Sequence, residues 1–276
     1  MKYYLISLFF LPLSLQAQHY YNDIAGTLEL NKLFTLYRQA GVSTITAGGF
    51  NEQNLPVTDF SEQQIIAATE NRITITRRVN GVPTFETFVF DTDNRVTRFT
   101  DSSSSTVSNT DYFYDREGRI TGLVNTIRDT VADIFEKEEH AWLYSPSGRA
   151  EKMLLIRNDK DSTEFRFKAD EQGNIIEETM YRNNLPGEAV YYYYNDSGKL
   201  TDIVRYNTKA RRLLPDFMFE YNTDGFLSQK ISTLSNPKIG YIIWRYQYNE
   251  KGLKTREANF TKEKKLIGRI DYKYTY

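Results

Sequence analysis

No cysteine occurs anywhere in the 276 residues, which excludes disulfides, thiol nucleophiles and thiolate-held zinc. Histidine is almost as scarce, with only His19 and His140. An excess of one charge is also missing: 35 Lys+Arg stand against 36 Asp+Glu, for a net charge of −1, so no overall field steers the chain toward nucleic acid or anionic lipid. Any partner must be recognised through local features. There is no G-x-S-x-G, no phosphate-cradling glycine loop and no H-E-x-x-H, and nothing in the chain asks for a cofactor or a metal.

Only one long apolar run is present, at the very start: "MKYYLISLFFLPLSLQAQ" places a single lysine before the stretch Tyr3 to Leu15 and small Ala17 after it. This is the layout of a signal peptide, too short to span a bilayer comfortably. It predicts export with cleavage near Ala17, leaving residues 1–17 as leader. No Cys follows the run, so a lipid-modified N-terminus is not expected. An exported chain of this size without disulfides points to a bacterial envelope, whether periplasm, outer surface or medium.

The rest of the chain repeats itself. Aligned on a turn residue, "FVFDTDNRV", "YFYDREGRI", "WLYSPSGRA", "FKADEQGNI", "YYYNDSGKL", "FEYNTDGFL" and "YQYNEKGLK" recur with a period of about 26 residues. The turn residues are Asn94, Gly118, Gly148, Gly173, Gly198, Gly225 and Gly252. Six positions earlier stands an aromatic (Phe88, Tyr112, Trp142, Phe167, Tyr192, Phe219, Tyr246), and four earlier usually a second one, with Ala169 as the exception. Two aromatics two residues apart share one face of a strand. Three before the turn residue, Asp, Asn or Ser can close an Asx-type turn, and Gly or Asn then supplies the positive φ. Each copy therefore reads as a β-hairpin tip, and two strands per period build an antiparallel meander.

Upstream the pattern blurs. "GGFNEQNLPV" (48 to 57) looks like a degenerate tip at Asn54, and residues 71 to 90 read as a hairpin around Asn80-Gly81. Residues 27 to 41 have Leu30, Leu33, Phe34 and Tyr37 at helical spacing, with Thr27 as N-cap and Gly41 as stop. The expectation is an all-β fold: tandem hairpins in a long twisted or curled meander sheet (85–276), continuous with an N-terminal cap (18–84) whose short helix covers the sheet's open end. "DSSSST" (101 to 106) reads as a flexible loop between hairpins. The closing "IDYKYTY" reads as an unpaired half-copy, and an open meander has two edge strands.

The tip motif, aromatic-x-Tyr-[Asp/Asn]-x-x-Gly-[Arg/Lys]-[Ile/Leu], resembles the YD (RHS-type) repeats of bacterial cell-surface and secreted proteins, with "YFYDREGRI" the nearest copy. The chain as a whole also looks like small secreted Bacteroidetes-type YD-repeat proteins that open with a "HYYND"-like stretch. In large RHS proteins such repeats wind into a hollow β-shell around a toxic C-terminal domain. Here the copies are few and the sequence stops on a repeat strand.

Functionally, Tyr192 and Tyr194 join the aromatic ladder that makes a core, while Tyr191 and Tyr193 point the other way and are available to stack on a sugar ring or peptide. His140 shares a strand face with Glu138 and Glu136, a weak metal or acid–base grouping that more often is a solvated strand edge. "NTKARRLLPDFMFEYN" sets Lys209, Arg211 and Arg212 beside Leu213, Leu214 and Pro215. It reads either as a dock for an anionic glycan or protein, or as a loop folding its leucines over the sheet. Arg98, Lys152, Glu177, Asp202 and Arg256, four after five of the turn residues, are expected on the same face as the apolar positions, with Arg205, Lys230 and Glu257 opposite. Neither face then offers lipid a clean belt, which weighs against an integral outer-membrane barrel. The expected function is a non-enzymatic binding or structural protein of the envelope, with carbohydrate or an envelope protein as partner and no nucleic acid. Its candidate binding residues are Tyr191, Tyr193, Arg211 and Arg212; an outer-membrane barrel and an envelope hydrolase are the alternatives.

Overall fold

The computed structural model describes residues 19–234 and 240–276, so the leader expected over 1–17 lies outside the described residues. A helix, α1 (Tyr21–Ala40), comes first, followed by β1 (Thr44–Phe50), β2 (Phe60–Ala67), β3 (Arg72–Val79), β4 (Val82–Phe90), β5 (Val96–Ser102) and β6 (Thr106–Tyr114). Then come β7 (Ile120–Asp129), β8 (Ile134–Tyr144), β9 (Ala150–Arg157), β10 (Asp161–Ala169), β11 (Ile175–Arg182) and β12 (Leu185–Tyr194). The last six are β13 (Leu200–Asn207), β14 (Arg212–Tyr221), β15 (Leu227–Thr233), β16 (Tyr241–Tyr248), β17 (Lys254–Phe260) and β18 (Leu266–Thr275). Every strand pairs antiparallel with its sequence neighbours, and β1 also pairs with β18, from Thr44↔Thr275 to Phe50↔Arg269. The sheet is a closed barrel of 18 strands.

Closure corrects the open meander. The segment "IDYKYTY" is no unpaired half-copy, because β18 is held by β17 on one side and β1 on the other. The two edge strands expected of an open sheet meet and satisfy each other's backbone groups, which removes the hazard of free edges.

The seven repeat tips form one end of the barrel, here the tip end. In each, the Asp, Asn or Ser three before the turn residue accepts its backbone N–H, as in Gly198 N–H to Asn195 O at 2.8 Å. The turn residues all have positive φ, from Asn94 at 61° to Gly173 at 91°. Asn54, with φ 62°, makes the same turn at the opposite, far end, and Asn80-Gly81 is the hairpin the sequence predicts. Residues 103–105 join β5 to β6 at the far end.

A β-bulge follows every tip, and sequence alternation does not anticipate it. Tyr194 pairs with Leu200 but Tyr193 with Asp202, so one strand advances two residues while its partner advances one. The same shift recurs at Phe90/Val96, Tyr114/Ile120, Tyr144/Ala150, Ala169/Ile175, Tyr221/Leu227 and Tyr248/Lys254. A one-residue shift flips the side chains that follow to the other face. Arg98, Lys152, Glu177, Asp202 and Arg256 therefore sit outside, opposite the inward apolar positions such as Val96 and Ile175, and not on their face as the alternation suggested. Arg205, Lys230 and Glu257 point inward.

The inward tyrosines staple one repeat to the next. Backbone pairing between β11 and β12 ends at Glu177↔Tyr191, and beyond it Tyr194 donates its hydroxyl to Ile175 O at 2.7 Å. Tyr114, Tyr144, Tyr221, Tyr248 and Tyr274 do the same to the carbonyls of Val96, Ile120, Leu200, Leu227 and Lys254, at 2.7 to 3.0 Å. Ala169 cannot, and it interrupts the series at β10. Two of the four consecutive tyrosines thus serve the interior, Tyr192 in the core and Tyr194 as a staple.

The helix spans the barrel toward its tip end, one face packed on the inner wall while Leu28, Glu29 and Lys32 on the other stay exposed. Eighteen strands about 4.8 Å apart close a wall roughly 28 Å across before tilt widens it, and a 20-residue helix is about 30 Å long. Accordingly α1 reaches opposite walls: Tyr20, just before it, packs on Phe165 of β10, while Tyr37 meets Tyr274 of β18 and Phe34 stacks on Phe90 of β4 at 3.8 Å. Leu30, Phe34, Tyr37, Ile45, Phe88, Phe90 and Val96 form one core, and Tyr20 with Trp142, Met153, Phe165, Phe167 and Tyr192 forms a second around the helix N-terminus. A closed ring leaves no sheet end to cover, and the helix expected as that cap is instead a crossbar from one wall to the other near the tip end. Near the tip end, Arg38 bonds Asn71 and Asn94, and Asn31 receives Val96 N–H. Gly41 ends the helix at φ 72°, as the sequence indicates.

Candidate functional site

The lumen holds a buried polar layer that surrounds the helix N-terminus. The helix begins at Tyr21, six residues before the expected N-cap Thr27, which is buried mid-helix. Tyr20 caps it with no side-chain bond; the capping group comes instead from β11. Glu178 accepts Tyr20 N–H at 2.9 Å and Tyr21 N–H at 3.1 Å, and Tyr192 donates its hydroxyl to the same carboxylate at 2.6 Å. These donors would be orphaned at any helix start, and the dipole favours an anion there. Burial pushes the Glu178 carboxyl above its ordinary range, while the three donors pull it back.

One turn on, Asp23 accepts from Trp142 Nε1 at 3.1 Å and lies 2.7 Å from His140 Nδ1. The other ring nitrogen of His140 is 3.1 Å from Glu138, whose second oxygen accepts Arg157 Nε at 2.8 Å. Burial alone would lower the His140 pKa, but Asp23 and Glu138 on either side outweigh it and raise it to about 9. At neutral pH the ring is an imidazolium donating from both nitrogens, with no lone pair for a metal or for proton abstraction. His140 is 4 % exposed, so the solvated strand edge is corrected to a buried clamp that ties β8 to the helix.

Further charged groups line the inner wall, among them Lys254 with Glu257 at 3.2 Å. Arg77 bridges Glu62 at 2.8 Å and Glu86 at 2.7 Å across β2, β3 and β4, all three buried. Near the helix start, Arg205 pairs with Asp216 at 2.7 Å, and Lys230 lies over the Phe217 ring at 5.1 Å. His19 packs edge-on against Phe217, and burial, reinforced by Arg205 and Lys230, holds its pKa down. A cleft of about 390 Å³ opens at the far end between β9, β10 and β11, lined by Arg157, Asp161, Thr163 and Arg182 among others.

The expected binding residues do not converge. Tyr191 and Tyr193 lie on the outer wall, with Tyr193 exposed opposite Asp202. Arg211 and Arg212 are at the far end, where Arg212 pairs with Asn207, five residues along β13 from Asp202 and therefore about 17 Å away. The basic stretch is no loop laid over the sheet: residues 208–211 are the tip of the β13–β14 hairpin, Leu213 is exposed, and only Leu214 turns inward. The seven turn residues take the positive φ of their hairpins and donate their backbone N–H across the turn.

Asp23, Glu178 and the Glu62–Arg77–Glu86 triad were not singled out by sequence reasoning. The triad had a signal, since Arg77 occupies the apolar face set by Ile73 and Ile75, where a charge must be paired.

No family model matches the chain, and no curated protein matches it in sequence. Among solved structures, a porin-like protein from Bacteroides uniformis is similar at 9% identity with a TM-score of 0.42, covering 85% of this chain and 96% of that one. A porin-like protein from Bacteroides vulgatus is similar at 14% identity with a TM-score of 0.28, covering 85% and 98%. A Photorhabdus luminescens Tc holotoxin pore structure is similar at 12% identity with a TM-score of 0.30; 75% of this chain aligns with 14% of that chain. With every TM-score below 0.5, these likenesses carry no functional information.

Proposed function

We propose that the protein is an exported, plugged β-barrel of the bacterial envelope that stands in water and acts as a non-enzymatic binding or structural element. Closure favours a barrel over the open binding sheet. The observation that carries the aqueous setting is the charge on the outer wall. Arg98–Asp111, Lys152–Glu164, Lys168–Glu177 and Arg256–Asp271 are outward ion pairs within or between neighbouring strands, spread around the ring. An outward Lys or Arg on a lipid-facing wall costs from about 0–1 kcal/mol near the interface to about 2–4 kcal/mol at the midplane, a cost that recurs around this wall. The crossbar helix with its bonded N-terminus opposes a channel role. The outward Tyr193 with Tyr191 is the surface for a carbohydrate or protein partner, and the repeat motif keeps the YD-type relationship as part of this reading.

A second reading, an integral outer-membrane barrel, is supported by the even-numbered antiparallel ring and by exposed Phe113, Leu143 and Tyr193, which occupy equivalent outward positions before three tips. Fractionation of the expressed protein separates the two. Release without detergent supports the first reading; retention in the outer membrane until detergent is added contradicts it and supports the second.

A further inference from the structure

The two ends of the barrel differ chemically. The seven tip loops, 91–95, 115–119, 145–149, 170–174, 195–199, 222–226 and 249–253, contain nine Asp or Glu against six Lys or Arg, and their apolar side chains are Pro146, Phe226 and the buried Leu253. At the far end, the hairpins expose Leu55, Val82, Val131, Phe135, Leu185 and Leu213, with Val131 84% and Leu185 71% accessible. Two of the far-end segments, 208–213 and 261–265, hold Lys209, Arg211, Arg212, Lys262, Lys264 and Lys265 against the single acid Glu263, and all of these are exposed.

We propose that the far end docks peripherally on an anionic phospholipid bilayer. The apolar side chains stand on five hairpins around one rim, so they form no single patch for a protein to cover, whereas a plane meets them together. Apolar side chains entering the headgroup layer beside bases that meet lipid phosphates are the two contributions that hold a protein on such a surface. The tip loops at the opposite end, with more acids than bases and no exposed large apolar side chain among them, offer such a surface neither contribution. The ion-paired outer wall keeps the barrel itself out of the hydrocarbon.

The test is flotation of the mature protein with vesicles of phosphatidylethanolamine and phosphatidylglycerol, against vesicles of phosphatidylcholine alone, at low and high salt. Binding is expected on the anionic vesicles and release by salt. Each base near the surface contributes about fivefold in affinity, so Lys209→Gln with Arg212→Gln lowers binding roughly twenty-five-fold. Leu185→Ser with Leu213→Ser also weakens it, while Phe113→Ser with Leu143→Ser, toward the tip end, leaves it unchanged. These six positions are exposed, and an unchanged melting transition shows that each variant folds. No binding to anionic vesicles, equal binding to both vesicle types, or equal binding by all variants overturns the proposal.

Discussion

The carboxylate of Glu178, on β11, receives the backbone N–H groups of Tyr20 and Tyr21 at 2.9 and 3.1 Å, across 158 and 157 residues of sequence. A strand on the barrel wall thereby supplies the N-terminal cap that the helix sequence lacks. The wall and the plug are one cooperative unit, since neither the buried carboxylate nor the helix N-terminus is satisfied without the other.

Glu178→Ala leaves both N–H groups and the Tyr192 hydroxyl without their acceptor in a buried setting. The expected loss is about 2–4 kcal/mol, read from the urea midpoint, with a matching rise in protease cleavage near the helix start.

His140 gives the fold a pH dependence. Its folded pKa is raised to about 9 from an unfolded 6.5, so its contribution is complete below pH 6.5 and is lost as pH rises through 9. The maximal effect is about 3 kcal/mol. Urea titrations across that window show a decline in stability that His140→Gln abolishes; an identical decline in the variant contradicts the assignment.

Adjacent tyrosines on β12 have opposite roles. Tyr194→Phe removes the staple to Ile175 O and costs about 1 kcal/mol, whereas Tyr193→Phe on the outer wall stays within about 0.5 kcal/mol of the parent. Chemical denaturation of the two variants side by side measures the difference.

Gly198 sits at φ 70°, and a Cβ at this position would meet no atom within 4 Å, so Gly198→Ala incurs only backbone strain, about 1 kcal/mol. Gly198→Asn costs less, because Asn94 holds the equivalent place at φ 61°. Thermal unfolding of the two variants ranks them.

The hairpin tips were legible because each depends on neighbouring residues: an Asx side chain, a positive-φ residue and two aromatics in register. Gly41 as helix stop was legible for the same reason. The helix start was not, since its cap, Glu178, lies on a distant strand. The bulges were hidden because they displace Thr97 or Thr201 from the alternation while leaving the turn motif intact, and the assignment of Arg98 and Asp202 to a face inverted with them. Closure was also invisible: β1 carries no repeat motif, yet Ile45 and Ala47 inside and Thr44 and Thr46 outside suit it to close the ring against β18. Among the site residues, Tyr191 and Tyr193 were placed on the correct face, but their separation from Arg211 and Arg212 required the register.

Closure of the barrel is most directly measured with a disulfide across the β1–β18 seam. Thr46 and Lys273 are paired and exposed on the outer wall, and the parent chain has no cysteine to compete. Thr46→Cys with Lys273→Cys should oxidise to a monomer with an internal cross-link that reducing agent reverses. Free thiols throughout, or covalent dimers in place of the monomer, would contradict a closed ring.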